Sequence, residues 1–91
     1  HWTAIRYASD NLSDYIELGD DSGIFEVTPP AAWTGKTVGD IDIRKRFGVN
    51  ILAIKKDGKM SLAVNCNSVL EEGIHLLVLG AFKDVRKCFK L

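Results

Sequence analysis

Val49 to Ile54 form a nearly continuous apolar run, and Asp57-Gly58 follows after Lys55-Lys56. An Asp-Gly pair is a strong hairpin signal, because the favoured two-residue turn needs positive φ at its central positions. Met60, Leu62 and Val64 then alternate with Ser61 and Ala63, the spacing of a partner strand. A chain of 91 residues has room for one small domain. This hairpin therefore belongs to its single core, with Val49–Ile54 expected as a central strand.

The rest of the chain is ordered around that pair. Trp2, Ile5, Ser9 and Leu12 recur at roughly helical spacing, which predicts a short helix within residues 1–14. Tyr15 to Leu18 is short and alternating, and Gly19-Asp20-Asp21-Ser22-Gly23 is a turn by composition. Ile24 to Thr28 reads as a strand stopped by Pro29-Pro30, since proline cannot donate to a sheet ladder. Thr37 is a plausible helix N-cap, with Asp40 three residues on. Gly48 is a natural residue to follow the last turn, so one helix is expected up to Phe47. Asn65 to Ser68 reads as a loop, and Val69 to Gly73 as a single helical turn. Ile74 to Leu79 reads as a buried strand broken by Gly80. Phe82, Val85 and Phe89, with Cys88 beside them, mark one side of a C-terminal helix. The sum is an α+β domain, a small mixed or antiparallel sheet with helices packed on it. A core this small leaves room for a dimer interface to complete it.

Charge is balanced, with 12 basic and 12 acidic residues, which argues against a nucleic-acid module. No apolar run approaches a membrane span, so no direct insertion is expected. Cys66 and Cys88 have neither metal-ligand nor disulfide spacing, and free thiols suit a reducing cytosol. The start at His1 suggests a piece of a longer protein.

Chemistry is sparse. There is no glycine-rich phosphate loop, and Asp20-Asp21-Ser22 is too short for a calcium loop. Cys66 and His75 invite a nucleophile-base reading. No orienting carboxylate matches it, and two residues are too few for a zinc site. No enzyme and no metal are expected. Asp42-Ile43-Arg44, followed by Asn50-Ile51, is more informative. A guanidinium near a helix end can grip a phosphate through paired hydrogen bonds, and an amide at the next strand can read a base edge. Equally, Arg44 can pair with Asp40 or Asp42, and Asn50 can bond a turn.

The stretch Trp33-Thr34-Gly35-Lys36-Thr37, then Asp42 through Lys56, resembles the C-terminal domain of RCK proteins, also called the TrkA-C domain. Val69-Leu70-Glu71-Glu72-Gly73 and Leu76 to Gly80 are similar to two further motifs of that family, in the right order. Tyr15-Ile16-Glu17-Leu18 resembles the link between the two lobes of Ktr/Trk potassium-uptake regulators. The resemblance implies that residues 15–91 are a C-terminal regulatory lobe. Residues 1–14 would be a connecting helix from a nucleotide-binding lobe ahead of them.

The lobe would form a homodimer within a cytoplasmic protein, peripheral to the membrane, that acts on a potassium channel or transporter. It would hold no resident cofactor, and would bind cyclic di-AMP at the dimer interface. The family's ligand motif carries over to Val38, Asp42, Ile43, Arg44, Asn50, Ile51 and Cys66. Arg44 would face a phosphate and Asn50 an adenine. Gly39 stands where the family has a large aliphatic, which implies a lost contact to a base. Cys66 stands where it has proline, which implies a looser loop. Ile74 stands where it has aspartate. The alternative is the same dimer as a structural assembly lobe without a ligand.

Overall fold

The structure, a computed structural model, describes residues 11–91. Five strands form one sheet: β1 (Leu12–Glu17), β2 (Ser22–Val27), β3 (Asn50–Lys56), β4 (Lys59–Ser61) and β5 (His75–Ala81). The order is β1-β2-β5-β3-β4, and every pairing is antiparallel. A 3₁₀ turn (Ala31–Trp33) and the helices α1 (Val38–Ile41), α2 (Ile43–Phe47) and α3 (Phe82–Phe89) complete the fold.

The alternation of β2 sets the two faces. Phe25 and Val27 are fully buried while Ile24 and Glu26 are half-buried. Leu76 and Val78 continue the buried face on β5, and Ile41, Ile43, Val85 and Phe89 close over it from the helices. Trp33 meets the Phe89 ring edge-on at 5.3 Å between centroids, within the range that such pairs favour. The opposite face carries a polar cluster. Glu26 binds Nδ1 of His75 at 2.8 Å with one oxygen, and its other oxygen lies 3.6 Å from Nζ of Lys55.

The α+β class and the Asp57-Gly58 hairpin stand as expected, with Asp57 and Gly58 both at positive φ. Of the two sheet types expected, mixed or antiparallel, the structure has the antiparallel one. Several other expectations are corrected. Leu12 to Asp14 belong to β1, not to a helix, while residues 1–10 of that expected helix lie outside the described residues. The helix beginning at Thr37 is two helices, broken at Asp42. The partner strand stops at Ser61, because only Lys59 to Ser61 pair with β3. Val69 to Gly73 is not a helical turn: Val69 bridges Thr37, the Leu70 amide donates to the Lys36 carbonyl, the Gly35 amide donates to the Leu70 carbonyl, and Glu72-Gly73 form a turn with Gly73 at φ 80°. Gly80 does not end its strand, which runs to Ala81 in register with β2.

Candidate functional site

The segment from Thr37 to Asn50 makes three turns, each fixed by a local rule. Thr37 opens α1 with a capping box: the Asp40 amide donates to Oγ1 of Thr37, and the Thr37 amide donates to the Asp40 carboxylate, both at 3.1 Å. The Thr37 amide is also the main cause that holds the Asp40 carboxyl below its ordinary 3.8. Asp42 ends α1 in the left-handed region, at φ 54° and ψ 47°. Aspartate tolerates that conformation better than most residues. Gly48 ends α2 the same way, at φ 71°, where glycine carries no steric cost.

Together these turns bend the chain around an open groove of about 360 Å³. It is lined by all seven motif residues: Val38, Asp42, Ile43, Arg44, Asn50, Ile51 and Cys66. Gly39, Val49, Val64 and Asn65 complete the wall. Ile43 and Val49 are buried in the core and form the floor. Arg44 and Asp42 stand at the exposed rim, and Asn50 and Ile51 are half-buried.

The two cations of α2 nearest this bend have different duties. Arg46 donates from Nη1 to the Ile41 carbonyl at 3.2 Å, and its guanidinium lies 5.1 Å from the Phe47 ring centre. It is therefore spent on holding α1 against α2. Arg44 makes no ion pair with Asp40 or Asp42, or with any other acid among the described residues. The Asn50 amide likewise has no side-chain hydrogen bond among the described residues. The groove thus presents a free guanidinium and a free amide above an apolar floor, a donor set suited to an anionic, base-bearing ligand.

The loop across the groove is held firmly. Gly39 donates its amide to the Cys66 carbonyl at 2.8 Å, and Val38 donates to Ser68 at 2.9 Å. Asn65 and Ser68 exchange further bonds within the turn. Sequence reasoning missed Val64 and Asn65 as wall residues, since nothing local marks them.

Cys66 and His75 do not meet as a catalytic pair. His75 is paired with Lys55 near the far end of β3. That lies five residues from Asn50, roughly 16 Å along a strand, and Glu26 occupies its ring nitrogen. A larger hollow of about 700 Å³ lies between Pro29–Ala31, Glu71–Ile74 and Phe89–Lys90. Of its two acids, Glu71 and Glu72, the first is already bound to Lys56 at 2.5 Å. No cluster of three potential metal ligands occurs among the described residues, and no described helix is long and apolar enough to cross a membrane.

Known proteins resemble this chain in sequence and in fold. The chain is 30% identical over 84 residues to the Ktr system potassium uptake protein C of Bacillus subtilis, covering 92% of this chain and 38% of that protein. It is 29% identical over 80 residues to protein A of the same system and organism, covering 88% and 36%. It therefore spans less than two-fifths of the length of these curated relatives. Among solved structures, the RCK C domain of the potassium transport protein KtrA, in complex with cyclic di-AMP, superposes with a TM-score of 0.73 at 33% identity, covering 80% of this chain and 86% of that one. Residues 23–91 match the TrkA-C domain, and the chain belongs to that family.

Proposed function

We propose that this domain is the ligand-sensing regulatory lobe of a Ktr-type potassium uptake protein, and that it binds cyclic di-AMP in the groove between α1, α2 and the start of β3. The observation that carries the reading is the convergence of Arg44 and Asn50, both without side-chain partners among the described residues, over the floor of Ile43 and Val49. The similar KtrA domain was solved with that ligand. Arg44 grips a phosphate, Asn50 reads an adenine edge, and Val38 and Ile51 flank the base.

The groove lies at the small end of the range for ligand sites, about 300–1,000 Å³, so one copy suits half of a dinucleotide. Cyclic di-AMP is two-fold symmetric, and an isologous dimer presents each residue twice. Binding between two copies favours one dimer arrangement to the extent that affinity differs between arrangements. In the full-length protein that change is passed to a membrane potassium channel or transporter on its cytoplasmic side. The domain performs no catalysis of its own.

Calorimetric titration with cyclic di-AMP tests this. The expected result is one ligand per two chains, with Arg44→Ala weakening binding roughly 100-fold, as loss of a desolvated charge-assisted contact does. A folded dimer that takes up no ligand would overturn the sensing role and leave an assembly lobe.

A further inference from the structure

We propose that Gly39 is a positioning residue of the groove: its bare α-carbon lets the Cys66 main chain latch onto α1, and this latch sets one wall of the binding site. The consequence for ligand affinity rests on the reading above, whereas the latch itself does not.

Two consecutive amides at the start of α1 are bonded into the facing loop, Val38 to Ser68 and Gly39 to Cys66. The second bond needs an approach that no side chain permits. A Cβ placed on Gly39 falls 2.9 Å from the Cys66 carbonyl oxygen and 3.1 Å from the Cys66 Cβ. The first of these contacts is main chain, so no rotamer change relieves it. The loop is held by its own bonds as well, Asn65 N–H to Ser68 Oγ at 3.0 Å and Asn67 N–H to Asn65 Oδ1 at 2.8 Å. Any larger residue at position 39 must therefore displace the loop as a unit.

Glycine here is not a missing contact but an exchange. The wall that a side chain at position 39 would supply is supplied by the main chain of Cys66, brought onto α1 and braced there. The latch is made by the Cys66 carbonyl, so its state is read at the Gly39 amide that donates to it.

The experiment compares the unaltered chain with Gly39→Ala by amide exchange and by ligand titration. Without ligand, the Gly39 amide of the unaltered chain is expected to exchange at least about tenfold more slowly than in the unfolded chain, and the position-39 amide of folded Gly39→Ala on the order of tenfold faster than that, as a forced overpacking detaches the loop. With cyclic di-AMP, Gly39→Ala weakens binding roughly tenfold. Unprotected exchange at Gly39, or equal protection at position 39 in the two chains, would overturn the latch. Failure of cyclic di-AMP to bind the unaltered chain would remove the ligand and leave the exchange result standing. Should Gly39→Ala not fold, exchange in the unaltered chain decides.

Discussion

Glu26 on β2 holds Nδ1 of His75 on β5 at 2.8 Å, on the sheet face turned away from the helices. Its second oxygen faces Lys55 on β3, so one carboxylate ties three neighbouring strands. Glu26 is the least exposed of the three, at 17% for its side chain against 38% for each partner. Replacing it with glutamine keeps the shape and removes the charge. We expect Glu26→Gln to lower stability by about 1 kcal/mol in urea unfolding. Binding in the groove should be unchanged, since this cluster lies near the other end of β3.

The two left-handed residues that bend the chain should respond in opposite directions. Gly48 has open space around its α-carbon, with only Asp84 near at 3.8 Å. Gly48→Ala therefore isolates the backbone cost, and a loss of about 1 kcal/mol is expected. Asp42 already bears that kind of strain, so Asp42→Gly should be neutral or more stable by up to about 1 kcal/mol. Thermal melts of both variants check the pair. A destabilised Asp42→Gly would mean that its carboxylate contributes more than its backbone costs.

The capping box gives a dependence on pH. The folded state holds the Asp40 carboxyl below 3.8, so the unfolded chain takes up its proton first as pH falls. The stabilisation is present above the ordinary value and lost as pH drops through the folded one. Asp40→Asn should be less stable than the unaltered chain at neutral pH, and the two should converge in acid below 3.8. Parallel curves across that window would show that the cap acts without its charge.

The two thiols should be distinguishable by alkylation. One equivalent is expected per native chain and two in denaturant, because burial keeps Cys88 protonated. Cys88→Ser places a hydroxyl among the buried side chains of α3, where we expect a loss of about 1–3 kcal/mol in urea unfolding.

The fold was legible wherever the signal was local. Thr37, Asp40, Gly48 and Asp57-Gly58 act through their own dihedrals or through neighbours a turn away, and each stands where the sequence puts it. The break at Asp42 was not legible, because the apolar stripe from Val38 to Phe47 reads as one helix, and only the structure shows why it is two. Ile41 and Ile43 are both buried, and residues two apart on one helix face different ways, so no single helix buries both. Val69 to Gly73 carries glycine at its end like a helical turn, but tertiary pairing with Gly35, Lys36 and Thr37 decides its conformation. Gly39 looked like a deleted contact because the residue that fills its place, Cys66, arrives from a distant loop. In the site, the resemblance supplied the residue set, and only the structure showed that Arg46 is occupied and Arg44 is not.

All the residues that line the groove fall between Val38 and Cys66. The strands that carry most of the sheet, β1, β2 and β5, lie outside that span. The proposed groove is therefore written in one stretch of the chain, which joins the rest of the sheet through the pairing of β3 with β5. One contiguous insert, exchanged between relatives with its two left-handed turns and that pairing intact, should carry a new ligand preference into the same sheet.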